Sequence, residues 1–407
     1  MKKNYGLIYT IFIFIILFLE LGFFNLVQNL NVTLLPIVSI LSIIIFLIFL
    51  TQPNKKKVPI NIKIICILLL ILYGMYFFIL QKNAFFYSTD LCENIYRYNN
   101  IIFIILYCFP LYEAITNSKN NILKMIFNIG MFLVEIRGTV WLLKNFIGIT
   151  LLPGYFNGTV RSIGTFSLAR ISVTFIEGFL IVFALNQFLD NSQKNKRYYL
   201  FSIIYLYFYA IFVTQTRTEL LAFLGTTFLM LFIKFIHSKQ RALLIISMVI
   251  FITIISFIFR NNINEFIYSF SPQNTTMGIS TQARLDGLQN LFEIWNGRQW
   301  NGLGFLPDQF LFYNVRYYLS DYGIIVTLLE FGIVGFLITL LPILLGVYYS
   351  FKFNSQNKYI NYVQGLTIYI IILSVTMNLY WYEFIGILPI YLALIMECIY
   401  YNNIEMK

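Results

Sequence analysis

The chain has 407 residues and a mean hydropathy of +0.77, with 59% hydrophobic and 11% charged residues. This composition excludes a soluble globular protein, because such proteins carry roughly 25% charged residues. The net charge of +11 would suggest a nucleic-acid partner in a soluble protein. Here the basic residues mark the ends of apolar runs and therefore report membrane topology. We expect a lipid bilayer as the environment of this chain and no nucleic acid as its partner.

Apolar runs cover nearly the whole chain, and about twelve of them reach the roughly 20 residues that cross a bilayer. The first run follows Lys2 and Lys3, lacks a small-residue cleavage site and is interrupted by Glu20, so we interpret it as an uncleaved span. We predict an all-α polytopic membrane protein whose residues 1–407 form a single membrane domain. The predicted spans are 5–24, 32–51, 62–80, 101–116, 122–144, 166–189, 198–214, 219–236, 242–259, 321–349, 359–377 and 384–400.

The basic residues are divided unequally between the two sides of the membrane. With the amino terminus in the cytoplasm, the lysine-rich loops lie on the cytoplasmic side, and an even number of crossings returns the carboxyl terminus there. Of the 11 arginines, only Arg197 and Arg241 fall in these loops. A guanidinium group binds phosphate oxygens through two parallel hydrogen bonds, which lysine cannot do. The remaining arginines predict a phosphate-bearing substrate at the outer face of the cytoplasmic (inner) membrane.

Three outer segments are long enough to carry chemistry: 81–100, 145–165 and the large extracytoplasmic loop 260–320 between the ninth and tenth spans. In the large loop, apolar residues recur at helical spacing between 281 and 295. This spacing predicts an amphipathic helix that rests on the membrane or covers a cavity. Its predicted apolar face consists of Leu285, Leu288, Phe292 and Trp295.

Arg217 lies in a polar notch, Thr214-Gln215-Thr216-Arg217-Thr218-Glu219, which leaves almost no loop between two spans. A charge at that depth is costly in lipid, so we expect it to face a cavity or a partner. The alternative is an arginine at a helix end that extends to the headgroups beside Glu219.

Arg161 and Arg170 flank the predicted entrance of the sixth span. Two cations beside a helix start suit an anion at the membrane boundary, where backbone amides add to the attraction. Arg170 has an alternative role, in which it pairs with Glu177 or Glu135 and joins helices. Glu135, Arg137 and Glu177 are themselves intramembrane ionisable residues, which usually pair or line a cavity. For Glu177 and Arg137 we expect a structural pair between adjacent spans.

Several short motifs follow one another between residues 155 and 350. They are Arg161-Ser162-Ile163-Gly164-Thr165-Phe166, Gln215-Thr216-Arg217, Arg284 followed by Trp295, Asn301-Gly302-Leu303-Gly304-Phe305, Ser320-Asp321-Tyr322-Gly323-Ile324 and Glu330-Phe331-Gly332-Ile333-Val334-Gly335. Their order, together with the span layout and the long outer loop, resembles the O-antigen polymerase and ligase superfamily. The resemblance implies a membrane-embedded C-type glycosyltransferase that uses a polyprenyl-pyrophosphate-linked oligosaccharide as donor.

By this resemblance, Arg217 and Arg284 bind the pyrophosphate and Arg161 assists, with Arg170 as a further candidate. The acceptor hydroxyl would attack the anomeric carbon while the arginines stabilise the departing pyrophosphate. A carboxylate near that hydroxyl would act as general base. Asp321 is the first candidate, and Asp286 and Glu219 follow; the alternative for Asp321 is a helix N-cap. Acidic residues do not cluster at ligand-like spacing, so we predict no metal and no cofactor.

The ligase branch of the superfamily carries a histidine late in the large loop, where this chain has Tyr313-Asn314. We therefore predict a polymerase of lipid-linked repeat units for a surface polysaccharide: capsule, exopolysaccharide or O-antigen. The alternatives are a ligase of the same superfamily and a transporter or flippase of lipid-linked oligosaccharide. A chain-length regulator and a flippase are candidate partners.

Overall fold

A computed structural model describes most of the chain. The described residues are 2–23, 30–51, 59–87, 100–118, 121–163, 166–190, 193–236, 278–305, 309–312, 315–318, 322–352, 358–380 and 384–405. Asp321 and the predicted ninth span, 242–259, lie outside them, as do large parts of the outer segments 81–100 and 260–320.

The described residues are predominantly helical, and each predicted span other than the ninth overlaps a helix. The α-helices are α1 (Lys2–Glu20), α2 (Leu30–Leu50), α3 (Ile60–Tyr87), α4 (Cys108–Ser118), α5 (Asn121–Leu142), α6 (Ile176–Leu189), α7 (Lys196–Phe208), α8 (Arg217–Ile236), α9 (Gly278–Trp295), α10 (Ile324–Lys352), α11 (Lys358–Ser374) and α12 (Ile387–Glu405). Segments of π-helix, Leu143–Ile147 and Tyr209–Thr214, extend α5 and α7, and 3-10 helices cover Asn100–Tyr107 and Pro153–Tyr155.

Within the described ranges, four helical stretches are long and apolar enough to cross a membrane: Ile60–Gln81, Asn121–Ile147, Lys196–Thr214 and Ile324–Ser350. Shorter apolar helices are Gly6–Glu20, Leu34–Leu50, Ile102–Asn117, Ile176–Leu189, Tyr359–Ser374 and Ile387–Tyr400. These helices confirm a helical multi-pass membrane protein. The number of crossings, the side of each terminus and the single domain over 1–407 stay predictions.

Two antiparallel β-hairpins add to the predicted helical architecture. Strand β1 (Phe156–Ile163) pairs with β2 (Phe166–Ile171), and β3 (Gln309–Phe312) pairs with β4 (Val315–Tyr318). The predicted start of the sixth span at residue 166 was therefore wrong, because residues 166–171 form a strand and α6 begins at Ile176. A short apolar run does not distinguish strand from helix; pairing with β1 decided it here.

The chain divides into two compact units. Unit 1 contains residues 1–226, 337–373 and 379–407, and unit 2 contains residues 227–336 and 374–378. In unit 1, α6 is buried on all sides from Ile176 to Leu185. Residues 384–399, which include most of α12, are likewise buried. Helices that are apolar all round belong in the interior of a large membrane domain, and these two form the core of unit 1.

In unit 2, α9 packs on a small apolar core made of Leu291, Leu303, Tyr322, Val326 and Leu329. The helix was predicted over 281–295 and covers Gly278–Trp295. Its buried face differs from the prediction, because Leu291 is fully buried while Leu285 and Phe292 are 50% and 37% exposed. Leu288 and Trp295 do pack against the core, as predicted. The face of α9 that is buried depends on its packing against Leu303 and α10, and the periodicity of the helix sequence carries no information on that packing.

Helix α10 is broken at Gly332, whose φ of 70° and ψ of −177° are non-helical. The segment around Gly302 hydrogen-bonds to the break: Leu303 N–H donates to Leu329 O (2.8 Å) and Gly304 N–H to Glu330 O (2.9 Å). A Cβ at Gly302 would collide with the carbonyl oxygen of Glu330, and a Cβ at Gly332 with that of Trp300. Two of the motifs quoted above, Asn301–Phe305 and Glu330–Gly335, therefore form one interlocked element.

Candidate functional site

The polar notch between α7 and α8 is a sharp reversal of the chain, as predicted. The π-helix ends at Thr214, and Gln215 has a φ of 53°, a left-handed conformation that is uncommon for a residue with a side chain. Helix α8 begins two residues later, at Arg217. Local π-helices and unusual backbone conformations occur frequently at functional sites. The backbone of the notch therefore has the features of a functional site.

Strand β2 lies against both π-helical segments. Trp141 Nε1–H donates to Ala169 O (2.7 Å), and Ala169 N–H donates to Asn145 Oδ1 (2.7 Å). These bonds fix the middle of β2 to the end of α5. Because Arg170 follows Ala169 directly, the same contacts fix the backbone from which the Arg170 side chain projects.

Arg170 connects the strand to the notch. Its Nη2 group donates to Thr216 Oγ1 (3.2 Å), and the Thr216 hydroxyl in turn donates to Thr214 O (3.2 Å). Arg217, which is half-buried, follows Thr216 directly. The structure thus brings two of the predicted phosphate-binding arginines, Arg170 and Arg217, to the same reversal of the chain.

The predicted structural pair of Arg137 and Glu177 is confirmed. Arg137 Nη1 lies 3.4 Å from Glu177 Oε1, and the two side chains are 3% and 0% exposed. Arg137 Nη2 also donates to Ser172 O (2.6 Å), and its guanidinium lies 5.2 Å from the centre of the Tyr155 ring. Burial of two charges requires such close pairing and additional hydrogen bonds.

Glu177 is held from the other side by Thr174. The Thr174 N–H and hydroxyl both donate to Glu177 Oε2, at 3.0 and 2.6 Å. Thr174 lies two residues before α6 begins at Ile176, so the turn that precedes the helix supplies both of these donors. Both oxygens of Glu177 therefore have partners, which favours a structural role over a chemical one.

Glu219 is fully buried and differs from Glu177. The Thr214 hydroxyl donates to its Oε2 (2.6 Å), whereas its Oε1 has no hydrogen-bond partner among the described residues. Glu177, Arg137 and Arg170 are its charged neighbours. The hydroxyls of Tyr209 and Tyr369 are buried beside these charges and also lack a described partner. A glycine at 178 makes room for the Tyr369 ring, which a Cβ there would meet.

We call this group of side chains the buried polar cluster. Its members are Arg137, Arg170, Glu177, Tyr209, Thr214, Thr216, Glu219 and Tyr369. Unpaired polar groups in a membrane interior are costly and usually mark functional positions. The cluster combines such groups with two arginines and two glutamates, of which Arg137 and Glu177 already form an ion pair, so it can exchange hydrogen bonds with a polar ligand.

The other predicted site residues lie elsewhere in the described structure. Arg161 is on β1, where its backbone is paired opposite Leu168. Arg284 and Asp286 are on α9 in unit 2, and Asp286 is exposed and accepts a hydrogen bond from Gln282 Nε2 (2.7 Å). Asp321 lies outside the described residues. The roles of all these residues stay predictions.

Sequence reasoning missed three polar residues that the structure isolates. Both carboxylate oxygens of Glu20 are buried without a described partner, and a Cβ at Gly386 would collide with one of them. Interruption of an apolar run by Glu20 was the available signal. Tyr209 and Tyr369 gave none, because the chain has 30 tyrosines and only their surroundings distinguish these two.

No three His, Cys, Asp or Glu residues come together at metal-binding geometry in the ranges that the structure describes. The described site therefore consists of arginines, carboxylates and hydroxyls. What it can supply is charge stabilisation, hydrogen bonding and proton transfer.

Residues 201–340 match the sequence model of the family described as O-Antigen ligase. This match supports the O-antigen polymerase and ligase superfamily. A search of curated proteins found no match. The matched stretch contains the notch, Arg217, Glu219, α9 and the broken start of α10. Members of the superfamily are glycosyltransferase-like enzymes of polysaccharide assembly, which supports glycan transfer in a membrane as the general activity.

Proposed function

We propose that this protein polymerises lipid-linked oligosaccharide repeat units into a surface polysaccharide at the outer face of the cytoplasmic membrane. The observation that carries the proposal is the buried polar cluster at the notch, where Arg170 contacts Thr216 beside Arg217. Arginines held in a water-poor site stabilise a pyrophosphate leaving group more strongly than they would in water. The O-antigen ligase family match, which includes Arg217 and Arg284, supports the same chemistry.

In the proposed reaction, a hydroxyl oxygen of the acceptor glycan attacks the anomeric carbon of the donor sugar. The bond between that carbon and the pyrophosphate oxygen breaks, and the polyprenyl pyrophosphate leaves with the electron pair. Arg217, Arg284, Arg161 and Arg170 are the proposed ligands of the developing charge. The hydroxyl proton passes to a carboxylate, for which Asp321 is the first proposal and Asp286 and Glu219 are the others.

The described carboxylates differ in what they offer as a base. Glu219 is buried, and its Oε1 has no partner in the described part of the chain, so this oxygen could accept a hydrogen bond from a substrate hydroxyl while Oε2 keeps its bond to Thr214. Asp286 is exposed and already bonded to Gln282. We propose a metal-independent reaction. A loss of activity in chelator that magnesium restores would contradict it.

The test is to delete the gene and complement it with wild type, Arg217→Lys, Arg284→Lys or Arg170→Lys, and to size the lipid-linked and surface glycans by gel. We expect a ladder with wild type, single repeat units in the deletion and little ladder with the lysine variants, because lysine lacks the two-point geometry. Arg197→Lys, at an exposed position, is the matched control and should restore the full ladder.

A ligase is the second candidate, because the matching family is described as O-Antigen ligase. It transfers a finished glycan once, so its deletion would leave long polymer unattached to its acceptor. A transporter would leave no repeat unit at the outer face. Either pattern would overturn the polymerase proposal, and full activity of Arg217→Lys and Arg284→Lys would overturn the arginine assignment.

A further inference from the structure

The exposed side of α9, together with the turn that follows the helix, forms an open groove in unit 2. The residues that line it are Gln289, Phe292, Glu293, Trp295, Asn296 and Gln299. Phe292 and Trp295 form its aromatic part, with ring centres 5.8 Å apart in an edge-to-face arrangement. The other four side chains are amides and one carboxylate. We call this feature the α9 groove.

The backbone beneath the α9 groove is held in place by tertiary contacts. The opposite side of α9 is held by the core of unit 2, where Leu291 is fully buried. At the far end, Gln299 O accepts a hydrogen bond from Ile333 N–H (2.8 Å), which ties the turn to the break in α10. The groove side chains therefore project from a backbone that the core and the interlocked glycines hold in place.

Much of the hydrogen-bonding capacity in the groove has no partner among the residues that the structure describes. The Trp295 indole N–H is buried and has no partner among the described residues. In the same part of the chain, Asn296 and Gln299 share one hydrogen bond, in which Gln299 Nε2 donates to Asn296 Oδ1 (3.0 Å). Each amide group offers two donors and an acceptor, so this bond leaves most of their capacity available. The amides of Asn296 and Gln299 can therefore bond the hydroxyl groups of a ligand.

The charge of the groove selects against an anionic ligand. Among the described residues that line it, Glu293 is the one ionisable side chain, and none is a lysine or an arginine. Insertion into lipid is equally disfavoured, since Gln289, Glu293 and Asn296 flank the Phe292 ring and would have to leave water. An uncharged polyhydroxyl ligand fits both features. Its hydroxyls bond amides and a carboxylate, and its apolar C–H faces pack on aromatic rings.

We propose that the α9 groove binds the sugar rings of a glycan chain, as a saccharide subsite. The proposal rests on the proposed function only in naming the glycan as the repeat unit of the surface polysaccharide. It assigns Phe292 and Trp295 as stacking surfaces, and Gln289, Glu293 and Asn296 as hydroxyl partners. Such a subsite would hold the chain by its sugars and leave the phosphate chemistry to the arginines.

The test uses the full-length protein in nanodiscs and, as probe, the repeat-unit oligosaccharide released from the surface polysaccharide of the producing cell. Saturation-transfer NMR reports binding without any turnover. We expect binding by wild type, and at least tenfold weaker binding by Phe292→Ser and by Glu293→Ala. A tenfold change corresponds to about 1.4 kcal/mol. Gel filtration and circular dichroism confirm that each variant is folded.

Leu285→Ser is the matched control, because Leu285 is also an exposed apolar residue of α9 but does not line the groove. It should bind as wild type does. Failure of wild type to bind, unchanged binding by folded Phe292→Ser, or an equal loss in Leu285→Ser would each overturn the subsite. Binding without polymerisation would refute the proposed function and leave the subsite standing, so the two failures are distinguishable.

Discussion

The buried polar cluster of unit 1 and the α9 groove of unit 2 use polar side chains in opposite ways. In the cluster, charged groups are enclosed and held by named partners, as Glu177 is by Arg137 and Thr174. In the groove, Gln289 and Glu293 are exposed on a helix whose other side forms the core. Enclosed charges act with fixed geometry, which suits a leaving group, whereas an open row of amides suits a long ligand with many hydroxyls.

The largest expected effect concerns the backbone that supports the groove. Gly332→Ala should reduce the free energy of unfolding by about 4 kcal/mol or more. Its φ and ψ lie in a region open almost exclusively to glycine, and a Cβ there would collide with Trp300 O. The measurement is the apparent unfolding temperature and yield of the purified protein. Gly297→Ala is the control, since Gly297 has a φ of 82° but open space around it; equal losses at both positions would refute the interlock.

The next effect concerns the ion pair of the cluster. Arg137→Met should destabilise the protein by about 3–5 kcal/mol, because it leaves the Glu177 carboxylate buried without its cation. The double variant Arg137→Met/Glu177→Gln should recover part of that loss, since no uncompensated charge remains. Thermal unfolding of both variants measures the coupling. Strictly additive losses would show that the two residues do not act as a pair.

A smaller effect is expected at the hydroxyl that holds Glu219. Thr214→Val should cost about 1–3 kcal/mol, because Glu219 Oε2 loses its donor in a buried site. Thr139→Val provides the comparison, since Thr139 is exposed and its hydroxyl donates to a helix carbonyl, Glu135 O, rather than to a buried carboxylate. Thermal unfolding should separate the two variants. No difference between them would indicate that the Thr214 bond contributes nothing to the cluster.

The smallest effect separates the groove from the cluster. Gln289→Ala and Glu293→Ala should change the free energy of unfolding by no more than about 0.5 kcal/mol, as is usual for exposed positions. Their side chains are solvent-exposed and lie away from the core. Urea unfolding monitored by tryptophan fluorescence measures the change. A loss above about 1 kcal/mol would show that these side chains support the fold, as those of the buried polar cluster do, and are not free for a ligand.

Several parts of this architecture were accessible from the sequence. Apolar run length predicted the helical membrane protein, because the bilayer imposes one length on every span. The notch at Thr214–Glu219 was predictable because a short polar stretch between two apolar runs indicates that one span ends there and the next begins. The Arg137 and Glu177 pair was predictable because buried opposite charges on adjacent spans have a strong reason to meet. Run length, the polar notch and the opposite charges can all be recognised from the local sequence and from the properties of the lipid bilayer.

Other parts depended on contacts between distant residues. Residues 166–171 became a strand because β1 was available to pair with them. The buried face of α9 included Leu291 because Leu303 and Val326 supplied the opposing surface. Tyr209 and Tyr369 stood out only once their neighbours were known, and the structure added to Glu20 that both of its carboxylate oxygens are buried without a described partner. The sequence by itself determined the membrane class and the residues that carry charge; the tertiary structure decided which of those charges are paired and which polar groups remain open, because pairing depends on distances that a linear chain does not record.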